Sequence, residues 1–571
     1  MPPNVVPLDL RDFLCIAPAL VLAFWGLVVI AADLGRFRRL DPDARRVACG
    51  RATLVGVGLA LASAVFLAWV DALAQSDAPR LVALFGDSLG GYFARTDGLI
   101  FFGTLARGLA VDVLNVLFLV LLAMVVWMST SYGFTDDLGE YFALMLWATV
   151  GMMLLAAAEE LATLFIALET TTICLYLATA FERSRRRSAE AGLKYFVYGS
   201  VSSALFLYGL SLVYGLAGST YFDAIGRVLR GGDAGLAGNL AGASALLLLL
   251  VGFGFKVSAV PFQQWVPDVY EGAPAPVAAW IATGSKVASF VAMLKVFVHA
   301  LGPWSHPSGS VMGPGWLGVV AVVAAVTMTY GNLAALAQKD LKRMLAYSSI
   351  AHAGYMLVGV AAASVSTEGP ASAGAVVYYL IVYALANVGA FAVAAWLARD
   401  KGTEAIADLD GLAGRSPSLA VCIVVLMLSL IGVPPFAGFF GKLYVFMEAL
   451  RQGPSDTRIV LTWLVALGLF NSVVSAFYYV RVLKAMYLRE PSGRPIEPAR
   501  PALALPIAAA AVLVTVLGVV PGPLVDLSRS VAVPMLTAGR LDVPAAVDVP
   551  APAPPAEKPS GVAWHPETPT D

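Results

Sequence analysis

The most constraining feature of the sequence is a series of apolar runs of about 20 residues that recurs along almost its whole length. A helix of that length crosses the hydrocarbon core of a bilayer, which is about 30 Å thick. Charged residues make up 13% of the 571 residues, whereas soluble domains carry about 25%. The chain is therefore predicted to be an all-α polytopic membrane protein.

Hydropathy and length together predict about fourteen membrane spans. The stretch 75–111 is too polar to cross a membrane and is a candidate for a surface helix, and residues 540–571, which are rich in Pro and Ala, are predicted to form a disordered tail. The predicted spans cover residues 13–34, 52–74, 112–134, 140–158, 161–182, 191–216, 242–266, 274–300, 312–334, 341–363, 373–398, 417–450, 460–488 and 502–525.

The basic residues of the loops predict the orientation of the chain. The loops on one side of the predicted membrane carry 20 Lys and Arg residues, whereas the other side, termini included, carries 11. Cytoplasmic loops of membrane proteins carry an excess of basic residues. Both termini are therefore predicted to lie on the non-cytoplasmic side of the membrane.

Six basic residues are left inside the predicted spans, once Lys342, Arg343 and Lys484 at the span ends are counted with the loops, and their identity is the most informative feature for function. Five of the ten lysines of the chain are among them, but only one of its 27 arginines. Arginine stays protonated in proteins, whereas burial can lower the pKa of a lysine by several units, so that a buried lysine can exchange a proton. The bias toward lysine therefore indicates proton transfer. The six residues are Lys194, Lys256, Lys286, Lys295, Lys442 and Arg481.

A charge at the centre of a bilayer costs about 2.5–3.5 kcal/mol, so each of these residues needs water, a counter-charge or a route to the surface. Lys295 and Arg481 lie near predicted helix ends, where a long side chain can reach the interface. Lys256 and Lys286 lie near mid-span. They are therefore the stronger candidates for proton transfer.

Carboxylates and one histidine also lie in or beside the spans. Glu169, within LFIALETTTICLY, is either half of a structural ion pair or a partner that tunes the proton affinity of a lysine, and Lys256 is its natural neighbour. Glu159 and Glu160 lie between two spans and are expected to be solvated at the interface. His352 lies inside an apolar segment. We expect it to make a hydrogen bond, and membership of a proton relay is the alternative.

Two predicted spans are interrupted beside a buried lysine. Pro261 follows Lys256 by five residues, and the run LSLIGVPPFAGFFGKLYVF contains Lys442 after its glycines and prolines. Proline removes a backbone hydrogen bond, and open backbone at membrane depth is tolerated only inside protein or beside water. We therefore expect a hydrated pocket at each break.

The two breaks lie five spans apart and predict an internal repeat. Spans four to eight and nine to thirteen would form two five-helix units, inverted relative to each other because five is odd, which is an architecture of transporters. The predicted domains are N-terminal helices and a loop (1–111), a first half-channel repeat (112–300), a second one (301–490) and a C-terminal transmembrane helix (491–539).

Motifs for cofactors are not found in the sequence. The four cysteines form no CxxC pair, and neither a Walker A motif nor a dinucleotide fingerprint occurs. The net charge of −1 gives no indication of a nucleic-acid partner. The chain is expected to carry no metal, redox centre or nucleotide.

Four segments carry a family resemblance. They are AEAGLKYFVYGSVSSALFLYGLSLVYG (189–215), FKVSAVPFQQWVPDVYEGAPAPVAAWIATGSKVASF (255–290), QKDLKRMLAYSSIAHAGYMLVG (338–359) and LIGVPPFAGFFGKLYVF (430–446). They resemble helices six, seven with eight, ten and twelve of subunit N of proton-pumping NADH:quinone oxidoreductase (respiratory complex I), an antiporter-like membrane subunit.

The resemblance implies which residues transfer protons. Glu190 and Lys194 fall where that family has charged residues at the start of its sixth helix. One position departs from the family, because its common PFHxW run has Gln263 here in place of the histidine, and glutamine cannot titrate. The implied proton-transfer residues are Glu169, Lys256, Lys286 and Lys442, and the resemblance implies that Glu169 pairs with Lys256.

The resemblance also implies the partners. The chain would lie in the bilayer against other membrane-arm subunits of complex I, and would carry no cofactor itself. FMN and iron–sulfur clusters are expected in partner subunits, which would also bind NADH and quinone.

Three other functions remain open. A subunit of a multi-subunit sodium/proton antiporter and a membrane subunit of a hydrogenase-type complex would share the fold and the lysines. A purely structural scaffold would have no need of buried lysines.

Overall fold

The computed structural model describes residues 8–94, 98–231, 240–305, 315–365, 369–401, 403–451, 455–490 and 501–537. The predicted tail, 540–571, lies outside these residues. The described part is built almost wholly of α-helices, as the long apolar runs predict, with one small two-stranded sheet.

The helices follow the apolar runs of the sequence. Short 3₁₀ turns occur at Phe37–Arg39, Phe101–Gly103, Gly302–Trp304 and Ile406–Leu409. The helices are α1 (Asp12–Cys15), α2 (Ala17–Gly35), α3 (Pro42–Ser76), α4 (Ala78–Phe93), α5 (Leu109–Ser129), α6 (Leu138–Ala157), α7 (Leu161–Thr179), α8 (Arg186–Ala217), α9 (Phe222–Gly231), α10 (Leu240–Val257), α11 (Trp265–Gly272), α12 (Ala275–Ala300), α13 (Trp316–Leu336), α14 (Leu341–Val365), α15 (Gly369–Lys401), α16 (Leu412–Arg415), α17 (Pro417–Ile431), α18 (Ala437–Arg451), α19 (Ser455–Leu488), α20 (Pro501–Val519) and α21 (Gly522–Thr537).

The predicted spans are confirmed as helices. Within the described ranges, twelve helices are long and apolar enough to cross a membrane, and the bent pair α20–α21 adds a thirteenth if it is counted as one span. The remaining predicted span, 417–450, is the broken pair α17–α18, and each of these helices has 15 residues. The non-spanning stretch 75–111 contains the helix α4 and the antiparallel strands β1 (Leu99–Ile100) and β2 (Leu105–Ala106).

The last predicted span, 502–525, is wrong in its extent. Helix α20 ends at Val519, and α21 leaves it at an angle of 91°. Pro521 lies at the corner, and because proline has no backbone N–H and clashes with the preceding turn, it cannot continue a straight helix.

Both predicted breaks are present. Helix α10 ends at Val257, and α11 begins after seven intervening residues, which include Ser258 with a φ of 69° and a cis bond to Pro261. Helix α17 ends at Ile431 and is followed by Gly432, with a φ of 89°, and by a cis bond to Pro435. Each break thus combines a left-handed residue with a proline.

The same order of features occurs in both halves of the chain. Glu160 and Tyr221, which flank α7 and α8 in the sequence, form an isolated antiparallel β-bridge. Asp340 and Ala405, which flank α14 and α15, form a second one. A broken helix follows each bridge, α10–α11 in the first case and α17–α18 in the second. This order supports the predicted repeat, and the domain boundaries proposed from the sequence stay a prediction.

Three helices are the most enclosed of the described helices that are long enough to span a membrane. In α12 and α14, 94% of the residues of the apolar segment are buried, and in α15 all of them are. In α2 the buried share is 33%. The central helices α12, α14 and α15 therefore lie in protein surroundings, where polar side chains can find partners at membrane depth.

Candidate functional site

Lys256 is buried at the end of α10, directly before the break. Its side chain is 7% exposed, and within the described residues its Nζ atom has no hydrogen-bond partner. The Nζ atom lies 5.4 Å from the ring centre of Phe255 and 5.9 Å from that of Tyr176. The amine therefore depends on aromatic rings and on more distant charges for stabilisation.

Glu169 is the distant charge that acts on Lys256. The two side chains interact electrostatically, but no ion pair within 4 Å joins these two described residues. The Oε1 atom of Glu169 instead accepts a 2.6 Å hydrogen bond from Ser203 Oγ on α8. The predicted neighbours are thus close to each other, while their direct pairing is not formed in this structure.

Lys286 lies on α12, directly after a π-helical turn at Ile281–Ser285. Such turns are frequent at functional sites. The side chain is 1% exposed, and Nζ donates to Ser349 O at 2.8 Å and to Ser349 Oγ at 2.5 Å. The hydroxyl of Tyr383 donates to the same Ser349 Oγ at 2.9 Å. All these partners are neutral groups, so the charge of Lys286 is not balanced by a direct contact.

His352 on α14 interacts electrostatically with both Lys286 and Lys442. Its Nδ1 atom lies 2.8 Å from the hydroxyl of Tyr379, and its Nε2 atom lies 3.4 Å from that of Tyr479. The expected hydrogen bond of His352 is therefore present. His352 is also a titratable group near both lysines.

Lys442 lies on α18, after the second break, and is 5% exposed. Its Nζ atom donates to Ile431 O at 2.7 Å and to Ser472 Oγ at 2.9 Å. Ile431 ends α17, so the break itself supplies a carbonyl oxygen that has no partner in its own helix. The ring of Tyr355 lies 4.9 Å from Nζ.

The charged residues at the start of α8 lie apart from the buried lysines. The side chain of Lys194 is 37% exposed and forms ion pairs with Glu190 at 2.8 Å and with Asp268 at 2.7 Å. Asp268, on α11, also binds Arg343. Burial tends to raise the pKa of the Asp268 carboxyl, but Lys194 and Arg343 outweigh this effect and lower the pKa below its ordinary value. Glu190 and Lys194 thus belong to a charged cluster around α11.

Two expectations about Lys295 and its surroundings are wrong. Lys295 does not reach the interface, because it is 1% exposed and forms a 2.8 Å ion pair with Glu159. Glu159 and Glu160 are not solvated but buried, and Glu160 caps α7 by accepting hydrogen bonds from the N–H groups of Ala162 and Thr163. The long-range ion pair joins α12 to the α6–α7 connection, and nothing in the local sequence indicates it.

A second buried ion pair was missed because its lysine was assigned to a loop. Lys342 is 0% exposed, pairs with Glu404 at 2.9 Å and donates to Ala273 O at 2.9 Å. Its position in the first turn of α14 gives no sequence signal for burial. Arg481 also has a structural contact, since its guanidinium donates a hydrogen bond to Leu336 O at the end of α13.

The cavity beside the first break has a different character from the predicted hydrated pocket. It has a volume of about 180 Å³ and is lined by apolar residues, among them Gly254, Pro261, Phe262 and Met293. Such a lining offers few partners to water, so this cavity does not provide the expected polar path. The side chain of Gln263, at the start of α11, is buried, and its Oε1 atom has no partner among the described residues.

No cluster of three or more His, Cys, Asp or Glu side chains that could hold a metal ion occurs in the described ranges. The described structure instead contains a row of buried polar side chains, which we call the lysine row and which consists of Lys286, Ser349, His352 and Lys442 with tyrosines beside them.

Fold and site together define a polytopic membrane protein of the antiporter-like class, with broken helices beside buried lysines. The NADH:quinone oxidoreductase/Mrp antiporter transmembrane family matches residues 158–475. NADH-quinone oxidoreductase subunit N 1 of Sorangium cellulosum is 40% identical over 529 residues, which is 90% of this chain and 97% of that protein. The chain therefore belongs to this family, on the branch of the proteins named subunit N.

Solved structures agree with this assignment. A chain of respiratory complex I from Thermus thermophilus, solved with bound aureothin, has a TM-score of 0.69 and 32% identity, and the match covers 90% of this chain and 99% of that one. A chain of the Mrp complex from Dietzia has a TM-score of 0.72 but only 20% identity, and the match covers 93% of this chain and 98% of that one. The second match shows the shared fold alone.

Proposed function

We propose that this chain translocates protons across a bacterial inner membrane as the antiporter-like subunit N of NADH:quinone oxidoreductase. Electron transfer from NADH to quinone in partner subunits supplies the energy, and the chain itself acts as a translocase without a redox centre. FMN and iron–sulfur clusters belong to those partners. The contacts are with other membrane-arm subunits and with lipid, and both termini lie on the periplasmic side.

The observation that carries the proposal is that Lys256, Lys286 and Lys442 are buried without a carboxylate in direct contact. An ammonium group that is neither solvated nor paired loses its proton readily. Protons enter from the cytoplasm to Lys256, pass to Lys286, and reach Lys442 through the hydroxyl and imidazole groups around His352. The separated arrangement of Glu169 and Lys256 corresponds to the state that releases the proton onward.

The half-exposed position of Glu169 supports assembly with another subunit. Glu169 lies near the middle of α7, where the neighbouring positions Ile166 and Ile173 are 65% and 52% exposed. Isoleucine can face lipid, but a carboxylate at that depth is costly unless protein or water covers it. We infer that a neighbouring membrane-arm subunit covers this face of α7.

The test is Lys256→Ala in the assembled complex, reconstituted into vesicles. We expect electron transfer to continue while the number of protons pumped per NADH falls. The matched control is Lys484→Ala, since Lys484 is an exposed lysine on α19 and should pump as the parent does. Normal proton stoichiometry in Lys256→Ala would overturn the proposal, and sodium-driven transport without NADH would favour the antiporter alternative.

A further inference from the structure

A second cluster of buried polar groups lies among the first helices, away from the lysine row. Asp71 on α3 and Asp112 on α5 bring their carboxyl groups into hydrogen-bonding contact. Both line a small cavity of about 20 Å³, together with Arg107 and Asn115. None of the proton-transfer residues proposed above lies in this part of the fold.

Two carboxyl groups can hydrogen-bond to each other only if one of them carries a proton, because an ionised carboxylate has no donor. Asp112 is 4% exposed and Asp71 is half-buried. Two ionised carboxylates so close together repel strongly, and sharing one proton removes the repulsion. The contact between the two groups therefore implies a bound proton.

The charges around the two carboxyl groups also indicate one bound proton. Arg107 interacts electrostatically with both carboxyl groups, so one positive charge faces two acids and a net charge of −1 remains when both are ionised. Other titratable groups nearby are Cys15, whose Sγ atom lies 3.5 Å from the hydroxyl of Tyr92, and Asp12, which accepts a 2.8 Å hydrogen bond from that hydroxyl. A further positive charge, the guanidinium of Arg11, lies 4.9 Å from the ring centre of Tyr92, but Asp9 pairs with it at 2.6 Å. Asp71 and Asp112 therefore keep one excess negative charge against Arg107 when both are ionised, and one monovalent cation balances it.

An independent observation is the orphaned amide oxygen of Asn115. The residue is 5% exposed, it lines the same cavity, and its Oδ1 atom has no hydrogen-bond partner in the described structure. A buried acceptor without a donor is costly. A cavity of about 20 Å³ has room for one water molecule, which would donate to Oδ1.

Asp33 in the same chain shows what a charge-balanced buried aspartate looks like. Its two oxygens accept hydrogen bonds from Arg45 at 2.6 and 2.7 Å, and the N–H of Gly139 donates at 2.9 Å. One carboxylate there meets one guanidinium, so no further proton is needed. Asp71 and Asp112, by contrast, present two carboxyl groups to the single guanidinium of Arg107.

We propose that Asp71, Asp112 and Asn115 form a binding site for one proton, held between the two carboxyl groups with a water molecule on Asn115. The site is separate from the lysine row, and the proposal does not depend on the proposed function. Ala157 lines the cavity, and the next residue, Ala158, accepts a 3.1 Å hydrogen bond from Lys295. The site therefore adjoins the buried pair of Lys295 and Glu159.

The test uses dicyclohexylcarbodiimide, an apolar reagent that modifies protonated carboxyl groups, on the assembled complex, with the modified residues located by mass spectrometry. At neutral pH we expect label on Asp71 or Asp112 and none on Asp33. In Asp71→Asn the remaining Asp112 is balanced by Arg107 and ionises, so its labelling should fall to the level of Asp33. Asn115→Ala removes an acceptor but no acid, so it should keep the label.

Three results would overturn the proposal. They are an unlabelled pair in the parent protein at neutral pH, unchanged labelling of Asp112 in Asp71→Asn, and suppression of labelling by sodium chloride but not by choline chloride, which would make the ligand sodium. If Asp71→Asn does not assemble, the pH dependence of labelling in the parent protein is the test. Labelling of Asp71 or Asp112 must decline as the pH is raised, while Asp33 stays unlabelled at every pH.

Discussion

At the scale of single residues, Lys286 and Lys295 differ in what their ammonium groups contact. Both lie on α12 and both are 1% exposed. Lys295 has a carboxylate at 2.8 Å, whereas Lys286 has a serine and a tyrosine ring near it. An ion pair fixes a charge in place, and neutral partners leave a lysine free to exchange its proton. Burial alone therefore does not distinguish a structural lysine from a proton carrier.

The first prediction concerns the structural lysine. Lys295→Met leaves Glu159 buried and unpaired, which should destabilise the protein by about 3–5 kcal/mol. The double variant Lys295→Met with Glu159→Gln removes both charges and should recover most of that loss. Thermal unfolding of the assembled complex measures both, and equal stability of the single and double variants would show that the pair is not the cause.

The sequence identified the buried lysines but not all of their partners. Lys256, Lys286 and Lys442 stand out because a charge within an apolar run is visible along the chain. The partners of Lys295 and Lys342 lie 136 and 62 positions away in the sequence, and their pairing depends on how the helices pack. A single sequence carries no information on such contacts, so both pairs escaped prediction.

At the scale of helices, the breaks in α10–α11 and α17–α18 create the surroundings of the lysines. The second break releases the carbonyl oxygen of Ile431, to which Lys442 donates. Pro261 and Pro435 made these breaks predictable, since proline ends a helix. The apolar lining of the cavity beside Pro261 was not predictable, because it combines side chains from several helices.

The second prediction concerns the corner at Gly432. Its φ is +89°, and a Cβ atom there would lie 3.2 Å from Lys442 Cδ. Gly432→Ala should therefore cost about 1–2 kcal/mol in backbone strain and also displace Lys442, so that pumping falls. Gly215→Ala is the control, because a Cβ there meets nothing within 4 Å and the residue lies within α8. Equal stability and pumping of the two variants would contradict this account of the corner.

The third prediction concerns the charged cluster on α11. Since the folded-state pKa of Asp268 is below its ordinary value of 3.8, its ion pairs stabilise the protein above that pH, and the contribution disappears as the pH falls through the lowered pKa. Asp268→Asn should cost about 1 kcal/mol or less at neutral pH, because the pairs are partly exposed. Thermal midpoints of parent and variant should converge in acid, and a difference independent of pH would rule out the ionic explanation.

At the scale of the whole molecule, residues far apart in the chain meet on the most enclosed helices. Lys286 on α12, His352 on α14 and Tyr383 on α15 lie within one polar row, although nearly 100 positions separate the first from the last. The sequence predicted the spans and the breaks, because hydropathy and proline act locally. It did not predict the row, since the tyrosines and serines look like ordinary residues of apolar helices.

The central claim is that the buried lysines work by gaining and losing protons. The most direct test compares Lys286→Arg with Lys295→Arg in reconstituted complex, measuring protons pumped per NADH. Both variants keep a positive charge, but arginine cannot release its proton. The account predicts that Lys286→Arg pumps fewer protons while Lys295→Arg, still paired with Glu159, pumps normally. Normal pumping by Lys286→Arg would contradict it.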